Sequence, residues 1–495
     1  MGKTPQNPKT RARLSIHGQM TELRQLDETL WEIPATARRD MRVPARVFAN
    51  PELLEAIRTD HSLEQLQNVA TLPGVVGAAL AMPDIHQGYG FPVGGLAATE
   101  PPDGVISPGG VGYDINCGVR LLVAAIAADE LGELKESLVH EISRLAPAGA
   151  GREAALKLRG AELDRVMCEG PAALLELRDV GTARDVEHTE SHGLLAGADP
   201  DAVSERARQR GSGQLGTVGS GNHFIEVQRV ERLFDEPAAE AYGLALGRVT
   251  FLIHSGSRGL GHQVCTDYVK RMDAAVARYG IDLPDRQLAC APLSAPESQD
   301  YLGAMAAAAN FAWANRAAIA HTVREAIRSV LGNEAADETR QVYDVAHNVA
   351  KLEPYGGREL CVHRKGATRA FPPGHPEIPP EYLEAGQPVF IPGSMGTSSF
   401  VLAGRQGSME RSFGTTCHGA GRRMSRTSAR KQIEGAELRR RLEADGITVR
   451  CSSNRGLAEE APFAYKDVET VVGVVERAGL ASRVAQLRPI GVVKG

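Results

Sequence analysis

Apolar positions along this chain change their spacing several times, and the changes divide it into stretches. From Pro51 to Val69 they recur at helical spacing. From Leu72 to Arg120 they shrink to short runs broken by Gly and Pro, which predicts strands and turns. Residues 128 to about 210 return to amphipathic helical spacing, with Leu138, Ile142 and Leu145 in register and an Ala/Gly-rich joint at 146–151. Gly211 to Val227 is a glycine-dense loop entering a strand, and Val249-Thr-Phe-Leu-Ile-His reads as a buried strand ending on His254. A helix is predicted from Gly261, and a long Ala-rich one from Tyr301 to Leu331. Val342-Tyr-Asp-Val-Ala-His is a second strand-like run that ends on a histidine, His347. A helix at 425–445, a strand from Ile447 to Cys451, a helix from Lys466 to Leu480 and a short tail complete the pattern. Residues 1 to about 30 read as a polar, poorly ordered lead-in. The expected architecture is a mixed α/β (α+β) catalytic domain over 31–495, with 128–210 as a helical insertion.

Composition changes this picture little. The 495 residues, 42% hydrophobic and 24% charged, suit a globular protein with a sizeable core. A net charge of −5 argues against nonspecific coating of nucleic acid, though a local basic groove would not register in the sum. Seven scattered cysteines without a C-x-x-C exclude a disulfide framework or a zinc ribbon and fit a reducing, cytoplasmic setting. Neither a signal peptide nor a transmembrane run is read in the sequence. The 53 glycines matter more, because they cluster beside His, Asp and Ser rather than in linkers.

Candidate chemistry sits in those clusters. Asp114 and Cys117 form D-x-x-C in a glycine-rich turn. His223, His254 and His347 each stand where a strand meets a loop. Any one of them alone reads as a core or turn histidine. Five ligand-type residues among glycine loops point to a metal centre, and a thiolate can bridge two cations. By ligand softness alone the set suggests zinc. His418 is followed by Gly419, Ala420 and Gly421, so bare backbone N–H groups can line a phosphate beside an imidazole nucleophile. Arg422, Arg423 and Arg426 then supply positive charge, and a helix from about Ser425 would aim its N-terminus at the site. Taken by itself, this stretch also reads as a turn capping a basic helix. The chain has no P-loop and no K-x-D-G, so a covalently held nucleotide would need a nucleophile other than the usual lysine.

These blocks, in order, resemble the RtcB family of RNA ligases. They are Tyr113-Asp-Ile-Asn-Cys-Gly-Val-Arg, Gly221-Asn-His-Phe-Ile-Glu, His254-Ser-Gly-Ser-Arg-Gly-Leu-Gly, Ala346-His-Asn, His363-Arg-Lys-Gly-Ala-Thr-Arg, Pro392-Gly-Ser-Met-Gly-Thr-Ser-Ser, His418-Gly-Ala-Gly-Arg and Ala464-Tyr-Lys-Asp-Val. The resemblance implies an RtcB-type fold of packed β-sheets flanked by helices. It implies joining of an RNA 3′-phosphate or 2′,3′-cyclic phosphate to a 5′-hydroxyl, in tRNA splicing or RNA repair, with GTP and two Mn²⁺ ions. It therefore replaces zinc by manganese. Carried over by position, Asp114, Cys117 and His223 would hold one Mn²⁺, and Cys117, His254 and His347 the other. His418 would take GMP from GTP. Asn222, Glu226, His347, Asn348, Pro392, Gly393, Ser394, Met395, Ser399, Gly419, Ala420, Gly421, Tyr465 and Lys494 would hold the guanine nucleotide. Arg258, Lys365, Arg422 and Arg426 would meet RNA phosphates. A monomer, no membrane contact and an activating partner such as archease also go with the resemblance. Two rivals remain at this stage. A metal-dependent RNA-end phosphodiesterase or phosphatase would leave His418, Tyr465 and Lys494 without a role, and a non-catalytic RNA-end binder would leave the ligand set without one.

Overall fold

The computed structural model describes residues 11–16, 19–58, 60–154 and 156–495. Two eight-stranded sheets organise them. The first runs, edge to edge, through Arg11–Ile16, Gln19–Gln25, Leu30–Ile33, Ala45–Phe48, Val75–His86, Val93–Thr99, Arg358–Lys365 and Asn348–Tyr355. The second runs through Arg340–Ala346, Gly118–Ala127, Arg248–Ser255, Phe224–Leu233, Ala481–Lys494, Ser399–Gly404 and Pro388–Ile391, with Thr448–Cys451 added in parallel to Ala481–Lys494. The strands expected from the short apolar runs are present, and central ones such as Gly118–Ala127 are buried along most of their length.

The chain crosses from one sheet to the other at His347, between Arg340–Ala346 and Asn348–Tyr355. Cys117 immediately precedes Gly118–Ala127, His223 precedes Phe224–Leu233, and His254 lies near the end of Arg248–Ser255. From the first sheet, Val75–His86 brings Asp84 to the same region. Strand ends from both sheets therefore converge, and there side chains can leave the ladders without costing backbone hydrogen bonds.

The long Ala-rich helix is Pro296–Leu331, 36 residues whose small side chains let it pack closely against Leu134–Leu145, Ala161–Glu169 and Arg258–Val276. The 128–210 stretch is helical in its described part, with Leu138 and Ile142 buried against this core. Among the described residues, no helix is long and apolar enough to cross a membrane.

Four expectations are corrected. The polar lead-in expected for 1–30 lies outside the described residues at 1–10, 17 and 18; its described part contains strands, Arg11–Ile16 and Gln19–Gln25, paired as an antiparallel edge of the first sheet, and a polar sequence at such an edge hides a strand from a polarity reading. The helix expected over Pro51–Val69 is two, Pro51–Ile57 and Ser62–Val69. The helix expected at 425–445 is also two, Arg426–Arg430 and Gly435–Ala444, and the second begins on Gly435, which packs directly on the Asn454 backbone, where a side chain would collide. The short tail is the end of Ala481–Lys494, a strand interior to the second sheet.

Candidate functional site

At the convergence, Cys117 Sγ lies 3.2 Å from His254 Nε2 and 3.4 Å from His223 Nε2. These three ligand atoms lie within 4.8 Å of one another, which is the spacing a single cation requires of its donors. Asp114 joins through His223, with Oδ2 2.8 Å from Nε2. His347 stands one ring further along, 5.6 Å from the His254 centroid, and His418 follows 5.2 Å beyond it. The structure thus gathers all five predicted ligands into one row, with Cys117, His223 and His254 as its tight part.

Burial sets the chemistry of this row. It pushes His254 and His347 well below the usual histidine range, with neighbouring imidazoles adding to the effect, so both offer neutral lone pairs. It pushes the Cys117 thiol well up, and Asp114 pushes it further. Burial opposes ionisation of Asp114 too, but His223 and then Arg258 reverse that and hold it at about 2. Nδ1 of His223 and of His254, and Nε2 of His347, have no hydrogen-bond partner among the described residues, whereas His347 Nδ1 is held by Thr368 Oγ1 at 2.8 Å. A thiol, a carboxylate and three imidazoles, those of His254 and His347 neutral, in one row fit divalent transition cations, which would displace the thiol proton.

Behind the row, Arg316 from the long helix is fully buried. It donates to Asn116 O at 2.7 Å, Asn116 Oδ1 at 3.0 Å, Ser255 O at 2.9 Å and Asp344 Oδ1 at 2.8 Å. One guanidinium therefore ties together the segments carrying Cys117, His254 and His347. Arg120 adds a second ion pair to Asp344 at 2.7 Å.

His418 follows the short strand Thr415–Cys417. Asp84 Oδ2 lies 2.6 Å from His418 Nδ1 and accepts from the backbone N–H groups of His418 at 3.0 Å and Gly419 at 3.3 Å. Burial works against ionisation of Asp84, but His418 and then Lys466 outweigh it and lower its pKa. An ionised Asp84 can only accept, so Nδ1 carries a proton, and the neutral ring has its lone pair on Nε2. Lys466 donates to the carbonyls on both sides of Asp84, those of Pro83 and Ile85, and so fixes the carboxylate's position. Gly421, at φ +72°, sits so close to the Asp84 carbonyl that any side chain there would collide with it.

A cavity of about 880 Å³ opens over the row. Its lining includes Asn222, Asn348, Pro392, Gly393, Ser394, Met395, Gly419, Ala420, Gly421, Tyr465 and Lys494. Two predicted nucleotide contacts, Glu226 and Ser399, stand behind that wall. Gln228 Nε2 donates to both of them, at 2.8 and 3.1 Å. Burial raises Glu226 to about 8, and its Oε1 has no partner among the described residues. Asn348 braces the loops, donating to Asp114 O at 3.0 Å and accepting from Gly366 N–H at 2.7 Å.

The predicted phosphate contacts are all engaged with the protein to some degree. Arg422 and Arg426 share the carboxylate of Glu460, at 3.0 and 2.8 Å, and Glu460 also accepts from the Tyr465 hydroxyl. Lys365 donates to the carbonyls of Tyr89 and Gly109, and burial lowers it to about 7. Arg258 donates to Thr217 Oγ1 at 3.2 Å. The helix after His418 is a single turn, Arg426–Arg430, capped by Ser425, too short to direct a helix dipole at the site. Sequence reasoning missed Asp84, Arg316, Glu460 and Lys466. A signal existed for Arg316, a lone charge among small apolar residues, and for Asp84, an acid inside a glycine-flanked strand.

The model of the family described as tRNA-splicing ligase RtcB matches residues 65–495. The chain is 52% identical over 482 residues to a tRNA-splicing ligase RtcB of Thermococcus kodakarensis, covering 96% of this chain and 100% of the relative. It is 51% identical over 478 residues to that of Archaeoglobus fulgidus, covering 96% and 99%. It is 50% identical over 437 residues to an RNA-splicing ligase RtcB of Mycobacterium tuberculosis, covering 87% and 100%. On this match and the assembled site, the chain belongs to the RtcB family.

Proposed function

We propose that this protein is an RNA ligase that joins an RNA 3′-phosphate or 2′,3′-cyclic phosphate to a 5′-hydroxyl, in tRNA splicing or RNA repair, with GTP as co-substrate. The observation that carries this reading is the one-sided imidazole of His418: Asp84 holds Nδ1 at 2.6 Å, which leaves Nε2 as a nucleophile facing the ligand row. Nε2 attacks the α-phosphorus of GTP; the P–N bond forms, the α–β P–O bond breaks and pyrophosphate leaves. An oxygen of the RNA 3′-phosphate then takes the GMP, breaking the P–N bond and giving an activated 3′ end. The 5′-hydroxyl attacks the RNA phosphorus and GMP departs. A cyclic end is first opened by water.

Two Mn²⁺ ions, held by Asp114, Cys117 and His223 and by Cys117, His254 and His347, would supply charge neutralisation at the phosphates. The protein's own groups orient the rest. Glu226 and Ser399, from behind the cavity wall, and Lys494 are read as guanine contacts, and Asn222, Asn348, the 392–395 and 419–421 backbone and Tyr465, which line the cavity, as the groups that would enclose the nucleotide. Arg258, Lys365, Arg422 and Arg426 are read as RNA phosphate contacts, since an arginine already paired once still has N–H groups to donate. We read 31–495 as one catalytic unit with 128–210 inserted into it.

The test is incubation with radiolabelled GTP and Mn²⁺, without RNA. Wild type should form a protein–GMP adduct that is stable to base and lost in acid, and His418→Ala and Cys117→Ala should not. Labelling of His418→Ala at the wild-type level would remove His418 as nucleophile. No label with any cation or nucleotide, even with archease added, would favour a phosphodiesterase.

A further inference from the structure

Three aromatic rings at the Asp114 end of the row have no task in the reaction above. Tyr113, half-buried and adjacent to Asp114, lines the cavity. Tyr89 meets it edge-on, with centroids 5.3 Å apart and planes at 66°. The His262 ring lies over Tyr113 at 5.1 Å with the planes inclined by only 32°. His262 is exposed, in the first turns of Arg258–Val276. The row runs from Asp114 through His223, His254 and His347 to His418, so this group stands at the end away from the nucleophile.

The group is built into the fold. Buried Lys365 donates to the carbonyls of Tyr89 and, at 3.1 Å, Gly109, and so holds both loops that present the tyrosines. Its Nζ lies 6.0 Å from the Tyr89 centroid, within the outer range of a cation–π contact. On the other flank, exposed Arg210 reaches Gln263 Oε1 at 2.9 Å, next in sequence to His262. Partial burial, then the charge of Arg210, keeps His262 below its ordinary pKa. A neutral, exposed imidazole tilted by 32° over a fixed phenol ring is the start of a stack, with a guanidinium beside it for a backbone phosphate.

We infer that the Tyr113–His262 pair is the stacking platform for a nucleobase of the RNA strand beside the break. This rests on the RNA-ligase reading and deepens it. Single-stranded RNA ends present splayed bases, and proteins take them on aromatic faces. Every base has a π-face, so such a platform holds an end in place without demanding a sequence. Phosphate contacts alone would leave the terminal nucleotide free to rotate over the cavity; a stacked base restricts it to one arc.

The experiment uses the full chain and short RNA strands with 2-aminopurine at the terminal position of either the 3′-phosphate strand or the 5′-hydroxyl strand, each with an abasic counterpart. Binding to wild type should quench the fluorescence of one strand, which identifies the end that stacks. His262→Ala should abolish that quench and weaken binding of that strand by roughly 5- to 150-fold, the range of one base–aromatic stack. His262→Phe should restore both, and Tyr113→Leu should behave as His262→Ala. The abasic strand should bind wild type and His262→Ala alike, and GMP labelling without RNA should be unchanged in His262→Ala. Binding without quench of either strand overturns the platform, as does a His262→Ala defect that persists in full with the abasic strand. Failure of both strands to bind overturns it as well. Labelling without quench removes the platform alone; quench without labelling removes the ligase reading and leaves a stacking site for RNA.

Discussion

The ligand row, open at its Asp114 end, and the fully buried ion-pair cluster behind it are opposite in how their polar atoms are used. In the cluster, Arg316 and Arg120 direct their donors to Asp344, Asn116, Ser255 and Thr189, all within the protein. In the row, a nitrogen of each of His223, His254 and His347, and an oxygen of nearby Glu226, has no partner among the described residues. Burying a polar atom unpaired costs about 1–3 kcal/mol, so several in one place are kept only where a ligand repays it. The difference separates a group that grips something from a group that holds the grip in shape. Burial and residue type alone would not have told them apart.

Breaking each side should therefore fail differently. Cys117→Ala removes the atom that both His223 and His254 face. Losing a ligand's supporting hydrogen bond costs roughly 10- to 100-fold in metal affinity or activity, so losing this ligand should take GMP labelling and ligation to assay background. Calorimetric titration with Mn²⁺ should show binding lost, while thermal denaturation without metal shifts little. Arg316→Met should do the reverse. It leaves Asp344 with Arg120 alone and frees the Asn116 and Ser255 carbonyls, at a cost of about 3–5 kcal/mol in unfolding free energy. Denaturant titration should detect that loss. A stable Arg316→Met with wild-type labelling would erase the distinction.

The same contrast explains what the sequence made legible. The row could be found because Asp114, Cys117, His223 and His254 stand close to glycines and the histidines stand at strand ends, and strand ends follow from apolar runs: Val249 to His254 and Val342 to His347 are readable as such. The long helix was readable from alanine spacing, and the structure places it at Pro296–Leu331. Supporting residues show at most that they are out of place, as Arg316 and Asp84 do, and not what they hold, because their partners are distant in sequence. Asp84 meets His418 across 334 positions and Arg316 meets Asn116 across 200. Glu460 meets Arg422 and Arg426 across 38 and 34, which made both arginines look free to hold RNA. Ala481–Lys494 reads from the sequence as a short tail because polar residues interrupt its apolar positions, and only its neighbours on both sides reveal it as an interior strand.

A third prediction sharpens the contrast at Glu226. Guanine's N1–H and 2-amino groups donate, so they favour the ionised carboxylate, which burial disfavours until about pH 8. Below that value binding must expel a proton. GTP affinity should then rise with pH from 6 to 8, by up to about tenfold per unit, and level off above. Burial likewise lowers Lys494 to about 8, so its charge fades where the rise ends. Glu226→Gln should bind GTP roughly 10- to 100-fold more weakly at pH 8, the loss expected when a carboxylate reading two donors becomes an amide. The same variant should flatten the pH profile. Equilibrium dialysis with GTP across pH, against ATP as control, measures both; an unchanged slope in Glu226→Gln would place the titrating group elsewhere.

The smallest effect tests the rim. Arg426 is half-exposed at the cavity mouth, and its ion pair with Glu460 is correspondingly screened by solvent. Glu460 keeps Arg422 and the Tyr465 hydroxyl when Arg426 is removed, so Arg426→Ala leaves no buried charge alone. Its loss should weaken RNA binding only a few-fold and reduce the slope of log affinity against log salt by about 0.7, the value of one phosphate contact on a single strand. GMP labelling should not change, because the nucleotide wall and the row are untouched. Glu460→Gln gives the opposite arm. It takes the shared acceptor charge from Arg422 and Arg426 together, which frees both for phosphate, and the salt slope should steepen. If Arg426→Ala leaves the salt slope unchanged and Glu460→Gln also does, the rim arginines belong with Arg316 among the residues that hold shape, and the RNA backbone is gripped elsewhere on the cavity's edge.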